Sequence, residues 1–145
     1  MRTKSALTPD ERLRKRHTAL VEIRAALAEI EGLSVGRVSF RFGRMIVWLR
    51  PRDRQEPVMA IKLRGLAEYR DNGIGGTRLI SGSVVEGGVM GRNLAEARDR
   101  PEFENFLQLE LWNSVSKTGP AFQALARHIR IFQGECLSPD RVWES

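Results

Sequence analysis

Three consecutive segments with the residue pattern of β-strands constrain the fold of this chain more than any other feature. In residues 37–42 apolar side chains alternate with polar ones, which is the period of a half-buried strand. Two further strands are predicted at 45–50 and 58–66, after a tight turn at Gly43 and a polar loop at 51–57. Connections this short join antiparallel neighbours, so the sequence predicts a meander.

A helix is predicted before these strands. Thr8 can cap it, Pro9 suits the first helical position, and Glu11 can complete a capping box. Apolar residues at helical spacing then form one stripe, which consists of Leu13, Leu20, Ile23, Leu27 and Ile30. The pattern predicts a helix over 9–31 that ends at Gly32.

The second half of the chain gives weaker signals. Residues 72–91 hold seven glycines, and a fourth strand is predicted within 77–85. A short helix should start near Asn93 and end before Pro101. Residues 101–116 fit a helix or a strand, and the helix is slightly preferred.

A last helix is predicted over 120–133, and Gly134 should end it. Its apolar side would consist of Phe122, Leu125, Ile129 and Phe132. Together these elements predict an α+β fold with an N-terminal helix, an antiparallel meander of three to four strands, and C-terminal helices packed on one face. We expect a single domain over 1–145, with irregular tails at 1–7 and 136–145.

The longest apolar run, residues 45–49, is far shorter than the roughly 18–20 residues that span a bilayer. The basic N-terminus is not followed by a long apolar segment, so it does not resemble a secretory signal. The single cysteine, Cys136, allows no intrachain disulfide and fits a reducing compartment. These observations predict a cytoplasmic or otherwise intracellular protein that does not bind a membrane.

Patterns for catalysis and metal binding are missing from the sequence. The stretch from Gly82 to Gly87 has the first spacing of a phosphate loop, but glycine and valine stand where lysine and a hydroxyl residue are needed. His17, His128 and Cys136 lack the spacing of metal ligands. We therefore expect a non-enzymatic protein with no catalytic residues, no metal and no cofactor.

Positive charge is concentrated in the first half of the chain. The net charge is +6, to which residues 1–16 contribute +4, 17–36 contribute −2, 37–70 contribute +6 and 71–145 contribute −2. Arginine outnumbers lysine twenty to four. Because a guanidinium group pairs bidentately with phosphate, this distribution favours a polyanionic partner.

The charge falls into two candidate patches. The first lies in the opening turns of the predicted helix, where the macrodipole disfavours cations, and consists of Arg12, Arg14, Lys15 and Arg16. The second lies on the sheet face opposite Phe40, Phe42, Ile61 and Leu63, and consists of Arg37, Arg41, Lys62 and Arg64. Turns and edges nearby add Arg44, Arg52 and Arg54.

We predict from these patches a basic protein that binds the phosphates of RNA or DNA, or another polyanion. The alternative is a structural or assembly protein, such as a virion component or a subunit of a larger complex. In that case the basic face meets an acidic protein surface, a second subunit of a homo-oligomer, or the chain's own Glu102, Glu104 and Glu110.

Overall fold

The computed structural model describes residues 6–115, 118–134 and 137–145. Its elements, in chain order, are α1 (Pro9–Leu27), β1 (Ser34–Arg41), β2 (Arg44–Arg50), β3 (Met59–Asp71), β4 (Leu79–Glu86), α2 (Gly88–Arg98), a 3₁₀ helix (Pro101–Asn105), β5 (Leu107–Asn113), β6 (Phe122–Gln133) and α3 (Pro139–Glu144). The predicted α+β class and N-terminal helix are confirmed.

All the named strands belong to one antiparallel sheet in the order β1-β2-β3-β6-β5-β4. The meander β1-β2-β3 is as predicted, but the sheet has six strands rather than three to four. Isolated bridges from Ser34 to Arg78 and from Val35 to Gly75 join the two edges of the sheet at one end. The sheet therefore curls around its inner face.

The second half of α1 packs on this inner face. The predicted capping box is present, because Thr8 Oγ1 accepts from the Glu11 amide at 3.2 Å and Glu11 Oε2 accepts from the Thr8 amide at 3.3 Å. The helix ends at Leu27, four residues earlier than predicted. Most of the apolar stripe is buried, but Leu13 is 65% exposed because the first half of α1 projects beyond the sheet.

The outer face of the sheet carries the other helices. Met90 and Leu94 of α2, with Phe103 of the 3₁₀ helix, pack against Leu125 of β6. At the other end, Val142 of α3 packs against the outer side of β2 and β3, at Ile46, Trp48 and Ala60. The prediction of an irregular tail over 136–145 is wrong for residues 139–144, which form α3. Residues 1–5 of the predicted N-terminal tail, and Cys136, lie outside the described residues.

Two helix predictions are wrong. The preferred helix over 101–116 is a 3₁₀ helix followed by β5, and the predicted helix over 120–133 is β6. β6 lies in the centre of the sheet, and its first half, residues 122–126, is covered on both faces and mostly buried. Phe122 and Ile129 face the main core while Leu125 faces α2, and this two-sided burial produces an apparent helical spacing.

The prediction that Phe40 and Phe42 form the buried side of β1 is also wrong. Phe40 is 54% exposed, and Phe42 does not belong to the strand but to the turn between β1 and β2, where it is 98% exposed. β1 is an edge strand, and α1 does not extend over this end of it. The alternation was therefore a correct signal for a strand but a poor guide to its burial.

Gly65 bends the sheet where β3 passes β6. Its φ is +63°, and a Cβ placed there would lie 2.8 Å from the Cβ of Arg127. The register of β3 against β6 shifts directly afterwards, between Leu66 and Glu68. The buried residues Ala126 and Ile129 face the same core although they are three positions apart. The bend thus sets the positions of Arg64 and of the residues around Arg127.

We expect Gly65→Ala to lower the free energy of unfolding by about 1–3 kcal/mol, because alanine at a left-handed φ is strained and its methyl group meets Arg127. Urea denaturation measures the change. Gly75→Ala is the matched control, because Gly75 has no positive φ and open space around it. Equal stability of the two variants would contradict the role given to the bend.

Candidate nucleic-acid interface

Four basic side chains line up across the strands β1, β2, β3 and β6. Arg41 is paired with Arg44, Arg44 with Arg64, and Arg64 with His128. Neighbouring strands lie ~4.8 Å apart, so this arginine row (Arg41, Arg44, Arg64 and His128) extends over about 14 Å. Cations directly opposite each other destabilise a sheet, so the fold carries a cost that a bound anion would remove.

No carboxylate of the described residues forms an ion pair with the row. In residues 6–115, 118–134 and 137–145, no carboxylate lies within 4.0 Å of a guanidinium nitrogen of Arg41, Arg44 or Arg64. Glu102, Glu104 and Glu110, the carboxylates that could cover a basic face from within the chain, form no ion pair with the row. Glu110 instead accepts a hydrogen bond from Gln108 Nε2 at 3.0 Å.

Aromatic rings hold several of the neighbouring guanidinium groups in place. Arg41 lies over Trp143 of α3, with 4.6 Å from its Cζ to the ring centroid. Arg37 lies over Trp48 at 5.5 Å, and Arg130 lies over Phe132 at 4.7 Å. Stacking uses the face of the guanidinium and leaves its N–H edge able to donate to an anion.

Lys62 shares the sheet face with the row, as predicted, but is only 1% exposed. Its Nζ donates to the main-chain oxygens of Val142 and Trp143 at 2.8 Å and of Ser145 at 3.0 Å. Burial, and then the charges of Arg44, Arg64 and Arg130, lower the pKa of Lys62. All three donors of the ammonium group are engaged, so Lys62 holds α3 in place and is not a contact for a ligand.

The first predicted patch meets the row in a groove between α1 and β6. The groove has a volume of about 570 Å³ and an apolar floor that includes Ile23 and Ile129. Its rim is mainly basic: one carboxylate, Glu102, lies there beside Arg12, Lys15, Arg16, Arg127 and His128. Beyond Ala126, β6 pairs only with β3 among the described strands, so this side of β6 is open. His128 therefore lies both at the end of the row and on the rim of the groove.

Three cations surround His128. Partial burial, and then the charges of Arg64, Arg127 and Arg16, lower the pKa of its imidazole. Arg16 also forms a salt bridge to Glu86 of β4, with 3.3 Å between Nη2 and Oε1. A bound anion would stabilise the imidazolium form, so anion binding and protonation of His128 should favour each other.

Other predicted site residues lie elsewhere. Arg14 is exposed on α1 and is not part of the groove lining. Arg52 and Arg54 lie in the loop between β2 and β3, at the end of β2 opposite to Arg44. The main-chain oxygen of Arg54 accepts from Arg50 Nη1 at 3.0 Å, which helps to order this loop. The structure does not bring these three arginines together with the row.

Three basic residues of the site were missed from the sequence, namely Arg127, His128 and Arg130. They were missed because residues 120–133 were interpreted as a helix. The signal for a strand was present, since the β-branched residues Ile129 and Ile131 alternate with His128 and Arg130.

Comparison with known proteins gives no family assignment: no protein-family model, no curated protein and no solved structure matches this chain. No helix in the described part of the chain is long and apolar enough to cross a membrane. The described residues also contain no group of three or more His, Cys, Asp or Glu side chains placed to hold a metal ion.

We expect the pKa of His128, followed by NMR titration of its imidazole, to lie below the ordinary value of 6.5. The unfolded chain then binds a proton first as the pH falls, so this residue should make the protein less stable below about pH 6.5. His128→Gln should remove that part of the pH dependence, and Arg64→Gln should raise the pKa of His128. A pKa at or above 6.5 in the native protein would contradict this description.

Proposed function

We propose that this chain is a non-enzymatic nucleic-acid-binding protein that contacts phosphates through the arginine row. The observation that carries the proposal is the register of Arg41, Arg44 and Arg64, three like charges side by side with no carboxylate of the described residues in reach. Phosphate groups would remove their mutual repulsion and accept their hydrogen bonds.

The groove extends the same interface. Since His128 belongs to both features, a strand that follows the row would next meet the basic rim formed by Arg127 and the first turns of α1. This path gives a reason for cations at the start of α1, where the macrodipole disfavours them. Contacts of this kind recognise the sugar-phosphate backbone and carry little sequence information.

The triple variant Arg41→Gln, Arg44→Gln, Arg64→Gln should bind a fluorescently labelled oligonucleotide much more weakly. If each side chain neutralises one phosphate, the slope of log K against log salt should become shallower by about 2–3 units. Fluorescence anisotropy between 50 and 300 mM salt measures both quantities. If the native protein does not bind the oligonucleotide at low salt, the proposal is refuted.

The matched control removes the same charge elsewhere. Arg52, Arg70 and Arg92 are exposed in the loop after β2, near the end of β3 and on α2, and none of them lines the groove. Changing these three to glutamine also lowers the net charge by three. If only the row variant loses binding, the loss is due to a defined site and not to the lower net charge. An equal loss in both variants would argue against a defined interface.

A second candidate function is assembly with an acidic protein surface, in a virion or another complex. It is favoured by the large apolar side chains that α1 leaves exposed, namely Leu13 at 65% and Val21 at 51%. Light scattering after size-exclusion chromatography distinguishes the two, because an assembly protein should form a defined oligomer without nucleic acid. Leu13→Ser, which adds no charge beside Arg12 and Arg16, should then dissociate the oligomer and leave oligonucleotide binding unchanged.

A further inference from the structure

The turn between β1 and β2 carries an aromatic ring that is exposed to solvent, so the ring does not stabilise the fold by burial. Phe42 is 98% exposed, and its φ is +46°. Gly43 follows with φ +73°, so both central residues of this two-residue turn are left-handed. Asparagine or aspartate before glycine is the usual choice for such a turn. A phenylalanine there is strained and leaves its apolar surface in water.

The turn is nevertheless held firmly. The main-chain oxygen of Gly43 accepts from the Leu66 amide at 3.0 Å, which ties the tip of the hairpin to β3. Near the turn, the rings of Phe40 in β1 and Tyr69 in β3 contact each other, with 5.3 Å between their centroids. Phe42 is therefore an exposed ring on a rigid support, and strain that a rigid support maintains points to function.

The residues beside the ring indicate what it meets. Arg41 and Arg44 flank Phe42 and Gly43 and form the first pair of the arginine row. An apolar protein pocket that received the ring would bury these two like charges at its rim. A single nucleic-acid strand, in contrast, alternates flat aromatic bases with anionic phosphates, which matches an aromatic ring on a turn that a pair of arginines closes.

We propose that Phe42 stacks on an unpaired base of single-stranded nucleic acid while Arg41 and Arg44 bind the adjoining phosphates. The inference depends on the proposed function and adds a ligand class to it. Bases in a duplex are already stacked on each other, so the ring has no free face to meet there. The protein should therefore prefer single strands to duplexes of the same sequence.

The test compares a labelled 12-nucleotide single strand with its duplex. Phe42→Asn removes the ring and suits the left-handed turn, so the variant should fold and melt at the same or a higher temperature. Its affinity for the single strand should fall about 5- to 150-fold, the range of one base–aromatic stack. Affinity for the duplex and the salt slope should stay unchanged, because the phosphate contacts remain.

Two further variants complete the design. Phe42→Trp should preserve binding, and its added fluorescence should be quenched by the single strand. Val115→Ala is the control, because Val115 is 74% exposed on a different loop. Its binding should equal that of the native protein.

Each outcome separates the two proposals. Native-like binding by Phe42→Asn, with binding still lost in the triple arginine variant, would overturn the stacking and leave the proposed function standing. No binding of the native protein to either oligonucleotide would overturn both. A change in oligomeric mass on Phe42→Asn, with strand affinity unchanged, would also overturn the stacking and assign the ring to a protein contact.

Discussion

The antiparallel pairing of β3 with β6 is the interaction on which the rest of the molecule depends. Residues 59–71 pair with residues 122–133, and this pairing joins the meander β1-β2-β3 to β5 and β4. It places Arg64 beside His128 and opens the far side of β6 toward α1. Without this pairing there is neither a continuous row nor a groove. The contact is long-range, so it forms only at the cost of closing a loop of about fifty residues.

The cations on the outer face of the sheet differ in role: Lys62 stabilises the fold, and the arginines around it do not. Lys62 is buried among Arg44, Arg64 and Arg130, and the energy that this costs is offset by three hydrogen bonds to the end of α3. A helix C-terminus attracts cations, so the position of Lys62 is favourable although its pKa is lowered. Among the described residues, no such hydrogen-bond acceptor lies beside the side chains of Arg44, Arg64 or Arg130. One cation therefore serves the fold, while its neighbours remain available to bind an anion.

The extent to which the sequence predicted this structure follows from how local each signal is. The capping box of α1 and the strands β1 to β3 depend on neighbouring residues, and they were found. β5 and β6 were not, because the apolar residues of both segments also fit one face of a helix, and the local pattern does not decide between the two structures. The sharing of one face by Arg37, Arg41 and Arg64 follows from a meander, so that patch was predicted. Its extension to His128 requires the β3–β6 pairing, and no local pattern contains that information.

The arginine row and Phe42 are better understood together than separately. Each breaks a local rule: like charges lie directly opposite each other, and a bulky ring occupies a left-handed turn. Sequences that fold well are locally consistent, and violations that the fold does not require concentrate at functional sites. Here Arg41 and Arg44 form the pair that closes the same turn that carries Phe42. The repulsion between these arginines and the strain at Phe42 destabilise the same hairpin, which Gly43 and Leu66 connect to β3. One ligand that supplies both an anion and an aromatic face would explain both features.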